Sequence, residues 1–190
     1  MTLKRNTVIL ILIMASFSAD ARPNGATGEP LSVPDVTVRN QQDKPLHFYS
    51  DLVKGKVVAI NFIFTSCSTI CPPLGANFAR LQDLLGDRCG TSVRLISVSV
   101  NPTVDTPQRL HAWAARFSDR PGWDLITGDK YQIDKLLKAI NAFAPDITEH
   151  SPLILIGNEA TGVWTRVNGM APPDQIVGII DQVAASKPNP

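Results

Sequence analysis

The sequence predicts an α/β sandwich, in which helices flank a central mixed sheet and a β-hairpin precedes that sheet. Nearly unbroken apolar runs at residues 57–64 (VVAINFIF) and 153–156 (LILI) suit strands that are covered on both faces. Segments with helical spacing of apolar residues separate the strand-like segments, which is typical of α/β folds. Weak alternation across residues 36–48, interrupted by the turn-like QDKP, indicates the N-terminal hairpin.

The strands of the sheet come from short segments rich in β-branched residues. Apart from the hairpin, strands are predicted at residues 57–64, 93–100, 123–127, 153–156 and 162–167. The last two segments flank a turn at residues 158–162, so we expect them to pair as a second hairpin.

Four helices are predicted from apolar residues that recur at helical spacing. The first opens with Pro72 and Pro73, whose missing N–H groups cost nothing in a first turn, and should end near Gly86. In the second, Asp105 precedes Thr106 and Pro107, so we expect Asp105 to cap the helix, with orienting a nearby site as its alternative role. The expected buried faces are Leu74, Phe78, Leu81 and Leu85; Leu110, Trp113, Ala114 and Phe117; Ile133, Leu136, Leu137, Ile140 and Phe143; and Ile176, Ile179, Ile180 and Val183.

The N-terminus has the features of an export signal. Lys4 and Arg5 precede an uncharged apolar run at residues 8–17, and the small-x-small sequence ADA at 19–21 is typical of a cleavage site. The run is shorter than the roughly 20 residues that span a bilayer, which favours a cleaved signal over an anchor. We therefore predict a signal peptide at 1–21, a flexible leader at 22–34, one domain at 35–187, a periplasmic location and no transmembrane span after processing.

The charge balance argues against nucleic acid as a partner. The chain has 18 basic and 17 acidic residues and a formal net charge of +1, with no long run of either sign. Nucleic-acid binding proteins usually carry a basic excess on one face.

The candidate chemistry lies in the segment FIFTSCSTICPP at residues 62–73. Cys67 and Cys71 are four residues apart where a strand gives way to a helix. Residues at this spacing are neighbours on a helical turn, and the positive end of the helix dipole lowers a thiol pKa. Such a pair can form a disulfide or bind a soft metal ion. Copper(I) accepts two sulfurs and one imidazole, whereas zinc usually requires a fourth ligand.

Four segments together resemble the Sco/SenC family. They are NFIFTSCSTICPPLGANFARLQ, ISVSVNPTVDTPQRLHAW, LITGDKYQIDKLLKA and EHSPLILIG, and the resemblance runs from about residue 33 to the C-terminus. It implies a thioredoxin-like fold and a copper ion held by two cysteines and one histidine, which here match Cys67, Cys71 and His150. In a thioredoxin-like sandwich, the loop that contains His150 lies against the cysteine loop.

The resemblance also implies a function. Family members help to assemble the copper centre of cytochrome c oxidase, and some are more similar to thiol–disulfide oxidoreductases. The expected cofactor is one copper ion per chain. The expected partner is the copper-centre subunit of the oxidase or another exported thiol protein. Copper could be handed to that subunit, or the subunit's cysteines could be reduced so that they accept copper.

Other interpretations of the three cysteines stay open at the level of sequence. The pair could be a structural disulfide, although so short a loop gains little stability from closure. It could also be a redox pair without a physiological metal, in which Cys67 attacks a disulfide and Cys71 resolves the product. A peroxidase acting through a cysteine sulfenate is a third interpretation. Cys89 is expected to be a spare, half-buried thiol, with intermolecular pairing as the alternative.

Overall fold

A computed structural model of the chain describes residues 31–118, 120–149 and 151–187. The predicted signal peptide and most of the predicted leader lie outside these residues, so both stay predictions, as does the domain boundary at residue 35. Within the described residues, no helix is both long enough and apolar enough to cross a bilayer.

In the described part of the chain, one mixed sheet contains seven strands: β1 (Thr37–Asn40), β2 (Pro45–His47), β3 (Val57–Ile63), β4 (Val93–Ser99), β5 (Trp123–Thr127), β6 (Leu153–Asn158) and β7 (Val163–Asn168). Their order in the sheet is β2-β1-β5-β4-β3-β6-β7. The three central strands β5, β4 and β3 are parallel, and the two outer pairs are added antiparallel. The N-terminal hairpin and the β6–β7 hairpin are as predicted.

Helices cover both faces of the sheet. They are α1 (Cys71–Leu85), α2 (Pro107–Ala114), α3 (Lys130–Ala139) and α4 (Pro173–Ala184). Helices α1, α2 and α4 share one apolar core with the sheet. Helix α3 and the short π-helical segment Phe48–Val53 belong to a second core on the other face. Every residue of β3 is buried, as expected of a strand covered on both sides.

Two parts of the predicted helix faces differ in the structure. Phe143 was expected to be buried, but 38% of it is exposed. Helix α3 ends at Ala139, and Asn141 adopts a left-handed φ of 52°, so the helical period stops before Phe143. Phe117 and Ile179 are half-buried and pack against the edge of the first core.

Candidate metal and redox site

The cysteine loop connects the C-terminal end of β3 to the start of α1. A turn in which the Cys67 N–H donates to the carbonyl of Phe64 (3.1 Å) reverses the chain after the strand. Cys71 is the first residue of α1, and prolines occupy the next two positions. Proline is favoured in a first helical turn, because its φ is already helical and its N–H is not needed there.

The two thiols lie together with little access to solvent. The backbone N–H of Cys71 donates to Sγ of Cys67 at 3.4 Å, and Oγ1 of Thr69 lies 3.8 Å from the same sulfur. Cys67 is 9% exposed and Cys71 is fully buried. The more accessible sulfur is therefore that of Cys67, which was predicted to be the attacking thiol.

The surroundings shift the two thiol pKa values in opposite directions. Burial opposes ionisation of Cys67, but hydrogen bonds from Cys71 and Thr69 stabilise its thiolate and leave its pKa lowered. Burial raises the pKa of Cys71 to about 12, and the negative charges of the Cys67 thiolate and Asp105 act in the same direction. Cys67 therefore ionises first and Cys71 keeps its proton.

Asp105 accepts hydrogen bonds from the cysteine loop and is not the cap of α2, so its predicted role as a helix cap is wrong. The helix α2 cap is Thr106, whose side chain accepts from the N–H of Arg109. Asp105 is fully buried. It accepts hydrogen bonds from the hydroxyl of Thr65 (2.5 Å), the N–H of Thr65 (3.2 Å) and the hydroxyl of Ser99 (2.6 Å). Asp105 thus ties the β4–α2 loop to the segment just before Cys67, which was its alternative predicted role.

Ser99 is a site residue that sequence reasoning missed. It lies at the end of β4, where it donates to Asp105 and accepts from the N–H of Asn101 (3.1 Å). The available signal was the pair of serines at alternate positions in the segment VRLISVSV, whose other residues after Arg94 are apolar. The other serine, Ser97, donates to Asn61 and accepts from Trp123 deeper in the same core.

His150, the third predicted ligand, lies outside the described residues and stays a prediction. The chain that follows it is described: the carbonyl of Pro152 accepts from the N–H of Gly169 at 2.6 Å. Gly169 in turn packs against Leu74 in the first turn of α1, where a Cβ would lie 2.5 Å from Cδ2 of Leu74. Among the described residues, which do not include His150, no three His, Cys, Asp or Glu side chains form a candidate metal site.

Cys89 is remote from the cysteine pair. It follows the C-terminal end of α1, whereas Cys71 begins that helix. Its thiol is half-buried, as predicted, and lies 3.5 Å from the carbonyl of Gly122. Burial raises the pKa of Cys89. These features make Cys89 a packing residue rather than a member of the site.

A sequence model of the SCO1/SenC family matches residues 25–185. The chain belongs to the Sco/SenC family. One relative is the SCO1 protein homolog of Bacillus subtilis, which is 32% identical over 172 residues that cover 84% of this chain and 87% of that protein. The Sco/SenC membership predicted from the four sequence segments is thus confirmed.

Solved structures of Sco proteins share the fold. BsSco, described as a member of the Sco family of cytochrome c oxidase assembly proteins with a disulfide switch, is 31% identical, with a TM-score of 0.66 over 84% of this chain and 98% of that chain. Copper-bound ScoI of Bradyrhizobium japonicum is 20% identical, with a TM-score of 0.66 over 80% of this chain and 99% of that chain. The predicted thioredoxin-like sandwich is therefore confirmed.

The donor set around the cysteine pair fits a soft metal ion. Two sulfur donors lie close together at the start of α1, and one of them already has a lowered pKa. Thiolate sulfur selects copper(I), zinc and other soft ions over hard cations such as magnesium. Calcium and magnesium prefer carboxylate and carbonyl oxygens, which this loop does not present among its described side chains.

Proposed function

We propose that this protein binds one copper ion per chain through Cys67, Cys71 and His150 and serves in the assembly of the copper centre of cytochrome c oxidase. The observation that carries the proposal is the pair of adjacent thiols at the start of α1, in a chain of the Sco/SenC family. Copper bound to a relative and the oxidase-assembly role ascribed to another support it. Copper is the cargo, and the oxidase subunit that accepts it, or whose cysteines are reduced for it, is the partner.

The thiols control when copper can bind, because a thiol must lose its proton to become a metal ligand. Cys67 supplies a thiolate readily, since its pKa is lowered. Burial raises the pKa of Cys71 to about 12, and a cation bound next to this thiol would favour loss of its proton.

The sequence of residues 1–21 supports a periplasmic location. A protein exported by a cleaved signal would meet its partner on the outer side of the inner membrane, where thiols compete with an oxidising environment. Cleavage after residue 21 is tested by N-terminal sequencing of the protein recovered from the periplasm.

The test of the copper proposal is an anaerobic titration of the reduced chain with copper(I) and with copper(II). We expect one equivalent to bind tightly, and we expect binding to weaken sharply in the His150→Ala and Cys67→Ser variants. The control is Cys89→Ser, which removes a thiol at the far end of α1 and should bind as the wild type does. Binding that is indifferent to His150 and Cys67 would contradict the proposal.

A second function, thiol–disulfide exchange without a physiological metal, is favoured by the pKa difference between the two thiols. The Cys67 thiolate would attack one sulfur of a partner disulfide, forming a mixed disulfide and releasing the other sulfur as a thiolate. Cys71 would then lose its proton to the thiolate already formed on the partner and attack Sγ of Cys67, forming the Cys67–Cys71 disulfide and releasing the partner's second sulfur as a thiolate that takes a proton from solvent. The Cys71→Ser variant should trap the mixed disulfide, and failure to exchange with any thiol redox buffer would contradict this function.

A further inference from the structure

A cleft of about 570 Å³ lies at the opposite edge of the sheet from the cysteine loop. It opens where the parallel strands β4 and β5 begin, near Arg94 and Trp123, whereas the cysteine loop follows the C-terminal end of β3. Sites for small molecules in proteins commonly have volumes of roughly 300–1,000 Å³. The cleft is therefore large enough for a small organic ligand, and an inorganic ion would leave most of it unfilled.

Two arginines from different parts of the fold line this cleft. Arg94 belongs to β4, and Arg120 belongs to the loop that precedes β5. Among the described residues that line the cleft, Asp124 is the one acidic side chain, so the lining carries two positive charges and one negative charge. A cleft with an excess of one charge concentrates ligands of the opposite charge. The lining therefore favours an anion.

Each of the two guanidinium groups is held by a carboxylate and still has donors to spare. Nη1 of Arg94 donates to Asp124 at 2.6 Å, and Nη2 of Arg120 donates to Asp83 at 2.7 Å. A guanidinium has five N–H donors, so one carboxylate contact does not use them all. In addition, Nε of Arg94 is shielded from solvent and has no acceptor among the described residues. An oxygen of a ligand in the cleft would supply an acceptor to these groups.

Two glycines let the loops that form one wall of the cleft pack tightly together. Gly90 and Gly122 have left-handed φ values of 87° and 96°. A Cβ at Gly122 would lie 2.8 Å from both Sγ of Cys89 and the backbone nitrogen of Gly90. A residue with a side chain at either position would be strained, so the wall next to Arg120 depends on glycine.

The thiol of Cys89 lies in this wall and is close enough to both arginines to be affected by their charges. Burial raises the pKa of Cys89, whereas a hydrogen bond from Gln82 and the positive charges of Arg120 and Arg94 act in the opposite direction. The two guanidinium groups thus stabilise a negative charge at one point of the cleft. The carboxylate of a ligand bound there would be stabilised by the same two charges.

We propose that this cleft is a binding site for a small organic anion, with a carboxylate group bound by Arg94 and Arg120. Carboxylate and guanidinium are planar groups that match each other in paired, charge-assisted hydrogen bonds. Because the cleft is separate from the cysteine loop, the proposal does not rest on copper binding.

The test uses the full chain in its reduced form and follows Cys89, whose thiol a bound ligand would cover. The chain is alkylated with iodoacetamide, a neutral reagent, in the presence of increasing citrate. Peptide mass spectrometry measures the labelling of Cys89 separately from that of Cys67 and Cys71. We expect citrate to slow the alkylation of Cys89 in a saturable manner, with a half-maximal effect at about 1 mM. Inorganic phosphate should protect less than citrate, and potassium chloride at the same ionic strength should not protect.

Two variants and one matched control assign the effect to the cleft. Arg120→Gln should raise the citrate concentration for half-maximal protection about tenfold, because it removes a charge-assisted hydrogen bond. Arg94→Lys keeps the charge beside Asp124 but lacks the planar donor fork, so it should also weaken protection. The control is Arg80→Gln, because Arg80 pairs with the same Asp83 (3.5 Å) but does not line the cleft. It should behave as the wild type does.

Every other pattern of protection overturns the proposal. Equal protection by potassium chloride would mean that salt only screens the two arginines. Equal protection by inorganic phosphate would contradict an organic ligand. Absence of protection by citrate, or the same protection in wild type, Arg120→Gln and Arg94→Lys, would show that the arginines do not bind a carboxylate. A loss in Arg80→Gln as large as in Arg120→Gln would indicate a general charge effect instead of a site.

Discussion

Cys67 and Cys71 are chemically different thiols, although they lie four residues apart. Hydrogen bonds from Cys71 and Thr69 outweigh burial at Cys67 and lower its pKa, whereas burial raises the pKa of Cys71 to about 12.

Because the thiolate is the reactive form, we expect iodoacetamide to modify Cys67 at a lower pH than Cys71. Mass spectrometry after short pulses across a pH series measures this order. In urea the three cysteines should react alike, near the ordinary thiol pKa of about 8.5. Modification of Cys71 before Cys67 in the folded chain would contradict the assignment.

Asp105 is expected to matter for both stability and thiol chemistry. In Asp105→Asn, an NH₂ group replaces one of the oxygens that accept from Thr65 and Ser99, so we expect a loss of about 1–3 kcal/mol in the free energy of unfolding. The pKa of Cys71, which burial raises first and the Asp105 charge raises further, should fall in this variant. Urea unfolding and thiol titration measure the two effects. The control Asp43→Asn removes an exposed charge at a left-handed position that asparagine tolerates, and should change stability by less than about 0.5 kcal/mol.

Helix α1 begins at Cys71 and contacts the aromatic side chains of α2 and the segment after it at Gly75. At Gly75, a Cβ would lie 2.7 Å from atoms of both Trp113 and Phe117. Alanine favours helices, but the aromatic rings would have to shift, so Gly75→Ala should destabilise the protein by about 1–3 kcal/mol. Gly178 in α4 has nothing within 4 Å of its Cβ position, so Gly178→Ala should stabilise by up to about 1 kcal/mol. Thermal or urea unfolding of the two variants measures the contrast, and equal effects would contradict the packing of α1 on α2.

Most helices and strands could be predicted from the sequence, because the spacing of apolar residues differs between helices and strands. The all-apolar run of β3, the paired prolines at the start of α1 and the turn between β6 and β7 are local signals. Phe143 was misjudged because its helical spacing continues past the left-handed Asn141, where the helix has ended. A local pattern cannot show that a helix stops while apolar residues go on recurring.

Across the whole molecule, the site is assembled from segments distant in sequence at one edge of the sheet. Strands β3 and β4 are parallel, so their C-terminal ends bring the cysteine loop and the β4–α2 loop together. The sequence predicts Cys67 and Cys71 as site residues from their spacing, and His150 from its place before the strand LILI and from the family resemblance; the role of His150 stays a prediction. The sequence could not show whether Asp105 caps α2 or binds the cysteine loop. The answer depends on the hydrogen bonds that Thr65 and Ser99 donate to Asp105 in the folded chain.

Copper bound to this edge should stabilise the whole fold, because a ligand that binds the folded chain more tightly than the unfolded chain shifts the unfolding equilibrium. At free copper(I) one hundred times the dissociation constant, the expected gain is about 2.7 kcal/mol. For a chain of this size, that gain corresponds to a rise in Tm of roughly 5–10 °C. Anaerobic thermal unfolding followed by circular dichroism, with and without copper(I), measures the rise. We expect it in the wild type and in Cys89→Ser, whose altered thiol follows the opposite end of α1, and we expect it to vanish in Cys67→Ser/Cys71→Ser. An equal rise in all three proteins would mean that copper stabilises the chain from somewhere other than the cysteine loop.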